Sequence, residues 1–459
     1  MNINTAPSLP SEPLWQQGES LELAIADLSL TGEGVGRWGD RVVFVPDTVP
    51  GDRVQVRLLN VKPRFAHAQV LALLQPSEQR VRPACIVADK CGGCQWQPVA
   101  SELQLASKQA HVIEALERIG KFSDPPVEPI LAAPDALGYR NKATYPLNQS
   151  GGTVQAGYYR KGSHRLINLN QCPVQDARLD PLLSQIKRDI QRQGWSIYDE
   201  KTHRGQLRHL GLRIGRRTGQ ILLTLVTQTW ELPEIEQQAQ EWLQRYDNLV
   251  GVCLNRNGDR TNRIFGPESR CLGGLPYLQE EFAGLHLQIG SDTFFQVNTE
   301  QAEALVELIL AELNLQGHEQ VVDAYCGIGT LTLPIARLAQ QVVGLELHPA
   351  TVAQAQANAI LNQITNVSFQ VGDVAKLLPS LYADIVVLDP PRKGCDQGVI
   401  DALFKIRPAQ IVYMSCNPAT LARDLRLLCQ TGGYRLQRVK PADFFPQTAH
   451  VECVAFLTR

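Results

Sequence analysis

The organisation of the chain is clearest around Asp323-Ala324-Tyr325-Cys326-Gly327-Ile328-Gly329-Thr330, a glycine turn that closes a short apolar run. After this turn, apolar runs of strand length alternate with helical stretches such as Pro349–Asn362 and Pro418–Leu428. Strands that are apolar on both faces and separated by helices indicate a doubly wound parallel sheet. We therefore expect an α/β domain over residues 291–459. Its predicted strands are Gln320–Tyr325, Gln341–Leu345, Val367–Val371, Asp384–Leu388 and Gln410–Ser415.

The glycine turn has the features of a cofactor pocket. Gly327 and Gly329 allow a tight turn and close approach of the backbone to a ligand, at the sheet edge where such folds bind ligands. Glu346 ends the next strand and can accept both ribose hydroxyl hydrogen bonds, and Asp373 follows the third strand, where it can meet an adenine amino group. Thr332 occupies the place of the third glycine of a dinucleotide fingerprint. S-adenosylmethionine, which has a ribose and no pyrophosphate, therefore fits this turn better than a nicotinamide dinucleotide. The alternative without function is a turn that only packs in the fold and binds no ligand.

Two further strand ends carry reactive side chains. In the segment Val386-Val387-Leu388-Asp389-Pro390-Pro391-Arg392, the two prolines cannot continue a strand and hold Asp389 at its tip. In Met414-Ser415-Cys416-Asn417-Pro418, a cysteine lies between a strand and the start of a helix, where its thiol should ionise more easily. Taken alone, Cys416 is more often an inert core thiol. Its combination with Asp389 and the cofactor turn favours a nucleophile.

Those residues suit methyl transfer to C5 of uracil. Addition of a thiolate to C6 turns C5 into an enolate carbon that can attack a methyl sulfonium. The C5 proton must then leave before the cysteine is expelled, and this step needs a base. Glu452, in His450-Val451-Glu452, is the best candidate for that base.

The first part of the chain has a different pattern. Short alternating strands without helices occupy about residues 21–73 and predict a small β-barrel, with the segment Thr31–Gly36 as one of its turns. A helical stretch, Leu103–Ile119, and a mixed region with strand-like Gln220–Val226 and Leu249–Leu254 follow. We expect a flexible tail at 1–13, a barrel at 14–73, a central domain at 74–290 and a catalytic domain at 291–459. The central domain is expected to be discontinuous if residues 103–125 dock on the catalytic domain.

The composition of the chain limits which partners and which cellular location can be expected. The chain has 459 residues, of which 44% are hydrophobic and 20% charged, and a formal net charge of -2. Any nucleic-acid surface must therefore be a local patch. No apolar run is long enough to cross a bilayer and the first residues lack a secretion signal, so we expect a cytoplasmic protein. Of the eleven cysteines only Cys85, Cys91 and Cys94 cluster, which in a reducing compartment indicates a metal site or chemistry.

In these residues the chain resembles the uracil-C5 RNA methyltransferases, in particular the bacterial 23S ribosomal RNA branch that carries a TRAM domain and an iron–sulfur cluster. The resemblance implies a class I methyltransferase with a Rossmann-like sheet, an N-terminal TRAM barrel of oligonucleotide-binding type and a mixed α+β central domain. It also implies Cys416 as nucleophile and Glu452 as base. The residues on the family's cofactor positions are Gln296, Tyr325, Thr330, Glu346, Asp373 and Asp389.

The resemblance adds Cys172 to Cys85, Cys91 and Cys94 as the ligands of a [4Fe–4S] cluster, since such a cluster requires four thiolates. From spacing alone, a structural zinc site is an equal alternative. Basic residues predict where RNA would run. They are Arg37, Arg41, Lys62 and Arg64 in the barrel, and Arg140, Lys142, Arg160, Lys161, Arg204, Arg208, Arg213, Arg216 and Arg217 beyond it.

We therefore expect a monomer without an obligate protein partner that methylates uridine at C5 in folded RNA, with 23S ribosomal RNA as substrate. Three alternatives stay open. The same chemistry could act on the T-loop uridine of transfer RNA, the chain could be a non-catalytic RNA-binding assembly factor, or, weakest, it could be a nicotinamide oxidoreductase.

Overall fold

The computed structural model describes residues 15–459, so the flexible tail predicted for residues 1–13 lies outside the described residues. The chain divides into two compact units. The described part of the first unit comprises residues 15–89, 94–107 and 447–449, and the second comprises residues 90–93, 108–446 and 450–459.

The first unit contains a closed five-stranded barrel with the strand order β1-β2-β3-β5-β4, which confirms the predicted N-terminal β-barrel. Buried residues alternate with exposed ones along β1 and β4, as a half-buried strand requires. The barrel encloses its own apolar core. Its strands are β1 (Ser20–Leu28), β2 (Gly34–Trp38), β3 (Arg41–Val45), β4 (Arg53–Val61) and β5 (Phe65–Gln75).

The predicted turn over Thr31–Gly36 is present as far as Glu33, and it is wrong for Gly34–Gly36, which begin β2. Its glycines are there because the barrel leaves no room for side chains. A Cβ on Gly34 would lie 2.0 Å from Oγ1 of Thr48, and one on Gly36 would lie 3.0 Å from the carbonyl oxygen of Ala24. Glycine within a strand marks such close approach as readily as it marks a turn.

The central region of the second unit is a seven-stranded sheet with the order β12-β11-β10-β9-β6-β7-β8. One face of this sheet packs on α2 and α3 around a buried apolar core. Its elements are α1 (Ser101–Arg118, shared with the first unit), β6 (Lys142–Ser150), β7 (Thr153–Tyr159), β8 (Leu166–Asn168), α2 (Asp180–Gln193), β9 (Leu207–Ile214), β10 (Ile221–Thr227), α3 (Ile235–Arg245), β11 (Leu249–Arg256) and β12 (Glu268–Gly274). A hairpin, β13 (Tyr277–Phe282) and β14 (Leu285–Gly290), follows.

The last part of the second unit is the predicted α/β sheet, with the order β17-β16-β15-β18-β19-β21-β20. The first five of these strands are parallel, and β21 runs antiparallel to both of its neighbours. The elements are α4 (Thr299–Leu313), β15 (Gln320–Ala324), α5 (Thr332–Ala336), β16 (Gln341–Glu346), α6 (Pro349–Leu361), β17 (Val367–Val371), α7 (Val374–Leu377), β18 (Ile385–Leu388), α8 (Gln397–Ile406), β19 (Gln410–Ser415), α9 (Pro418–Gln430), β20 (Arg435–Ala442) and β21 (Glu452–Thr458). The order reverses next to β15, so ligands are expected at the carboxyl ends of these strands.

Both faces of this sheet are covered. On one face, Val112, Ala115 and Leu116 of α1 join the core formed by the strands with α8 and α9. On the other face, α4 and the β13–β14 hairpin form a second core. Among the helices of the described residues, none is long and apolar enough to cross a membrane.

Candidate active site

The topology brings the predicted nucleophile and base together. Cys416 directly follows β19, and Glu452 opens β21, the antiparallel neighbour of β19. The register pairs Ser415 with Cys453 and Met414 with Val454. Continued by one residue, it sets Cys416 opposite Glu452, where Cα atoms of paired strands are about 5 Å apart. Asp389 follows β18, the other neighbour of β19, at the same sheet edge.

Three acidic groups come together at this edge, and each is harder to ionise than usual. Burial raises the pKa of Glu452 well above its ordinary value, and the nearby Asp389 carboxylate raises it further. Burial also raises the pKa of Asp389, to about 6. The pKa of the Cys416 thiol is raised by burial and then by the charge of Glu452. The prediction that the start of α9 makes this thiol ionise easily is therefore wrong, because burial and the neighbouring carboxylate outweigh the helix end.

Arg392 acts on this group with positive charge, and it was not among the residues predicted for the site. The charge of Arg392 lowers the pKa of both Cys416 and Glu452. Its guanidinium Nη2 lies 3.2 Å from Nδ1 of His450. Since Arg392 stands only three residues after Asp389 in the same turn, its position in the sequence was the available signal.

Three of the predicted cofactor residues line a single pocket. Gln296, Thr330 and Asp389 border it together with Met414 and Phe444. The pocket lies between the glycine turn, the tip of β18 and the end of β19. It therefore connects the predicted cofactor turn with the strand that carries the nucleophile.

Gln296 is held in place by a residue from the central sheet. Asn141 is 2% exposed, and its Nδ2 donates to the Gln296 carbonyl and to Oγ1 of Thr299, each at 2.9 Å. Its backbone N–H donates to the carbonyl of Val297 at 2.9 Å. In the sequence, Asn141 stands out only as a neighbour of basic residues, and no pattern there indicates this anchoring role.

The glycine turn has the geometry that a ligand needs. Tyr325 adopts φ 73°, and a Cβ on Gly327 would meet no atom within 4 Å, so the turn is open on that side. Thr332, at the missing-glycine position, donates from Oγ1 to Oδ2 of the buried Asp323 at 2.5 Å. The other oxygen of Asp323 is buried and has no hydrogen-bond partner among the described residues. The space beside Gly327 and the buried Asp323 oxygen, which has no donor among the described residues, fit a bound nucleoside cofactor.

Glu346 and Asp373 lie at the ends of β16 and β17, as predicted. Glu346 Oε1 accepts a hydrogen bond from the backbone N–H of His348 at 2.9 Å. Asp373 caps α7, with Oδ1 accepting from the N–H of Ala375 at 2.9 Å. These bonds orient both carboxylates at the edge where Thr330 and the glycine turn lie.

The predicted iron–sulfur ligands have mixed support. The N–H of Gly93 lies 3.4 Å from Sγ of Cys91, the kind of hydrogen bond that tunes a cluster thiolate. The backbone N–H of Cys85 donates to Gln97 and that of Cys172 to Asp180. Four thiols suit the cluster chemically. Within residues 15–459, however, no three His, Cys, Asp or Glu side chains are grouped as they would be around a metal ion.

Several arginines predicted to contact RNA are occupied within the fold. Arg208 is 6% exposed and donates to the carbonyls of Asn257 and Asp259. Arg216 pairs with Asp176 and Glu300. These two side chains serve the structure of the central region.

Lys142 and Arg213 are different, because they face one another across β6 and β9. Burial and the charge of Arg213 lower the pKa of Lys142, and burial lowers the pKa of Arg213 to about 10. Two guanidinium nitrogens of Arg213 are buried without a partner among the described residues. The carboxylate of Asp292 opposes this lowering for both side chains.

The fold and the pocket define a class I S-adenosylmethionine-dependent methyltransferase. The fold is similar to the crystal structure of the Pyrococcus abyssi tRNA (uracil-54, C5)-methyltransferase in complex with S-adenosyl-L-homocysteine. The TM-score is 0.76 at 26% identity, over 95% of this chain and 100% of that one.

Sequence comparisons narrow the class to a family. Residues 277–375 and 376–459 match the tRNA (Uracil-5-)-methyltransferase family, and residues 14–71 match the TRAM domain. An RNA methyltransferase of Nostoc sp. (strain PCC 7120) is 65% identical over 96% of this chain and 97% of its own length. One from Bacillus cereus (strain ATCC 10987) is 38% identical over 97% and 98%. The chain belongs to the S-adenosylmethionine-dependent RNA (uracil-5-)-methyltransferases and carries an N-terminal TRAM domain.

Proposed function

We propose that the protein forms 5-methyluridine in 23S ribosomal RNA, with Cys416 as nucleophile and Glu452 as general base. The observation that carries this proposal is the register of β19 and β21, which sets the two side chains opposite one another beside the cofactor pocket. Gln296, Tyr325, Thr330, Glu346, Asp373 and Asp389 would hold the cofactor. When bound, S-adenosylmethionine supplies an electrophilic methyl group.

In the proposed reaction Cys416 Sγ bonds to C6 of uracil, and the electron pair of the C5–C6 double bond moves into the ring as an enolate. C5 would then bond to the methyl group as the methyl–sulfur bond of the sulfonium breaks, with that electron pair left on a neutral thioether sulfur. Glu452 accepts the C5 proton, the double bond re-forms, and the C6–S bond breaks with its electron pair returning to sulfur. The raised pKa of Glu452 suits this role, because a base works best when its pKa lies near the working pH.

The ribosomal target is favoured by the TRAM match and the cysteine set, which the bacterial T-loop branch of the family typically lacks. A second target has its own support, since the solved relative from Pyrococcus abyssi acts on uracil 54 of tRNA and matches 95% of this chain. We expect the enzyme to methylate 23S transcripts but not tRNA transcripts. Mass spectrometry of 5-methyluridine in each RNA measures this. Methylation of tRNA alone would assign the T-loop instead.

We also propose that Cys85, Cys91, Cys94 and Cys172 hold a [4Fe–4S] cluster. The support is the four-thiol donor set and the N–H···S contact at Cys91. Protein purified without oxygen should contain about four irons and four sulfides per chain, with zinc as the alternative outcome. Replacing Cys172 by Ser should lower that content.

The proposed domain division follows the expected boundaries, with the barrel at 14–73, the central region at 74–290 and the catalytic domain at 291–459. In this proposal the enzyme acts as a monomer in the cytoplasm. The target uridine is extruded from the RNA, because a buried thiol cannot reach a stacked base.

The test of the proposed chemistry uses RNA in which 5-fluorouridine replaces uridine. Fluorine cannot leave as a proton does, so the methylated adduct should stay bonded to Cys416 and shift the protein on a denaturing gel. The variant Cys416→Ser should lose both the adduct and methylation. Full methylation by this variant would overturn the proposal.

The variant Glu452→Gln tests the base. On ordinary RNA it should accumulate the covalent complex, since addition and methyl transfer proceed while proton removal stalls. Normal turnover by this variant would assign the proton transfer to another group, even if Cys416 remained essential.

A further inference from the structure

A second pocket lies in the central region, apart from the pocket beside the glycine turn. It is lined by α2, by the start of β7 and by the segment that ends β8, and its volume is about 320 Å³. That volume is in the range of small-ligand sites. Of the described residues that line it, two are cationic, one is apolar, five are uncharged and able to form hydrogen bonds, and none is acidic. This lining favours an anionic ligand.

Lys187 brings a positive charge to the wall of this pocket and has only neutral partners. The residue is 6% exposed. Its Nζ donates to Oδ1 of Asn168 at 2.9 Å, to the carbonyl of Leu169 at 2.5 Å and to Oδ1 of Asn170 at 2.7 Å. Burial lowers the pKa of Lys187 to about 8, with no described carboxylate opposing that change. Buried charges are normally paired, so this ammonium lacks a counter-ion that a bound anion would supply.

The contacts of the amide side chains decide which of their atoms are left for a ligand. A lysine ammonium and a backbone N–H can only donate, so the atoms that they meet must be the amide oxygens. Lys187 occupies Oδ1 of both Asn168 and Asn170, and the N–H of Val154 donates to Oε1 of Gln191 at 3.3 Å. The three amide NH2 groups have no hydrogen-bond partner among the described residues. The pocket wall therefore offers donors and few acceptors.

Arg188 adds a second positive charge. It is exposed, and its Nε makes only a 3.4 Å hydrogen bond to the carbonyl of Ser184. The next residue of α2, Asp189, does not neutralise it, because its own buried carboxylate is paired with Arg192 and Arg245. Both cations of the pocket thus remain available to an anion.

We propose that this pocket binds a phosphate group, held by the amide NH2 groups of Asn168, Asn170 and Gln191 and by the charges of Lys187 and Arg188. Phosphate oxygens are strong acceptors and match a wall of donors. None of the described lining residues is aromatic, so recognition does not include stacking of a base. The phosphate belongs either to a small phosphate compound or to the RNA backbone, and the experiment separates these two sources. The site uses none of the residues proposed for methyl transfer.

The test titrates the full chain with inorganic pyrophosphate, by calorimetry, and with a labelled oligouridine, by fluorescence anisotropy, at one salt concentration. The decisive variant is Asn170→Asp. Its carboxylate still accepts from Lys187 but replaces the NH2 donors with a negatively charged acceptor. Binding of the phosphate ligand should weaken by about tenfold or more, because hydrogen bonds to charged groups contribute that much.

The same variant separates binding from folding. Asn170→Asp gives the buried Lys187 ammonium a counter-ion, so its midpoint of urea unfolding should equal or exceed that of the wild type while binding is lost. A structural role of Lys187 alone predicts the gain in stability without the loss of binding.

A matched pair of arginine variants locates the ligand. Arg188→Gln should weaken binding by about two- to fivefold, as expected for an exposed charge. Arg426→Gln, the same change at an exposed residue of α9, should leave binding unchanged.

The two ligands distinguish the sources of the phosphate. Weaker binding of pyrophosphate alone by Asn170→Asp assigns the pocket to a small phosphate compound. Weaker binding of oligouridine by this variant assigns it to the RNA backbone. If Asn170→Asp binds both ligands as the wild type does, or if the wild type binds neither, the inference is overturned.

Discussion

Asp323 lies at the end of β15 with 1% of its surface exposed, and burial raises its pKa to about 7. The Thr332 hydroxyl opposes this rise, and the Asp389 carboxylate adds to it. Below the ordinary value of 3.8 the carboxyl is neutral in both the folded and the unfolded chain. Between 3.8 and about 7 it is ionised mainly in the unfolded chain, so the free energy of unfolding falls as the pH rises through this window.

The variant Asp323→Asn should remove that pH dependence. Above pH 7 the wild-type penalty is on the order of 4 kcal/mol, because each tenfold change in an acid's ionisation constant corresponds to about 1.4 kcal/mol. Without cofactor, the variant should therefore gain stability over the wild type as the pH is raised from about 4 to about 8. Urea unfolding at several pH values measures this. A constant difference between the two proteins would show that the carboxyl is ionised in the fold throughout.

Among single residues, reactive side chains at the ends of strands could be predicted from the sequence. Cys416, Asp389 and Glu452 stand in short motifs, and strand periodicity alone puts the first two at one sheet edge. Arg392 and Asn141 were not assigned, because their roles depend on contacts between residues distant in the sequence. The ionisation of Cys416 was predicted with the wrong sign, since a sequence shows a helix start but not the burial that opposes it.

At the scale of elements, the barrel carries an aromatic cluster on its outer surface. Phe44 on β3 lies within 6.1 Å of Phe65 and 5.3 Å of His67 on β5, between ring centroids. Phe65 is 38% exposed, and the His67 side chain is 41% exposed. Nearby Arg37, Lys62 and Arg64 are exposed. Aromatic faces beside basic residues are how barrels of the oligonucleotide-binding type hold single strands.

Replacing Phe65 by Ala should therefore weaken binding of a short labelled oligouridine. Loss of one stacked base corresponds to about 1–3 kcal/mol, so Kd should rise by about 5- to 150-fold. Fluorescence anisotropy measures this on the full chain. The matched control is Leu71→Ala, which removes a side chain of 44% exposure elsewhere on β5. Equal effects of the two variants would count against a stacking surface.

Elements differed in how well the sequence indicated them. Strands β17 and β19 were predicted with their observed bounds, because short runs with apolar residues at strand spacing between turn residues have few other structures. The start of β2, Gly34–Gly36, was predicted as part of a turn, because its two glycines are required by close packing that only the folded barrel imposes. The antiparallel addition of β20 and β21 was not predicted, because direction in a sheet depends on the connection rather than on the strand.

At the scale of the whole molecule, a net charge of -2 gives no general attraction to RNA. Many of the basic residues predicted to contact RNA are paired inside the fold, as Arg216 and Arg217 are. The exposed ones, such as Arg160 and Arg204, remain to bind phosphates. RNA binding should thus depend on a few local contacts.

The salt dependence of binding tests this distribution of charge. For single-stranded RNA, the logarithm of affinity falls with the logarithm of salt concentration by about 0.7 for each phosphate contact. Arg160→Gln and Arg204→Gln should each weaken oligouridine binding and reduce that slope by about 0.7. Arg435→Gln, the same change at an exposed residue of β20, should alter neither quantity. If all three variants change the slope equally, the attraction is spread over the molecule and the predicted RNA path across the central region is wrong.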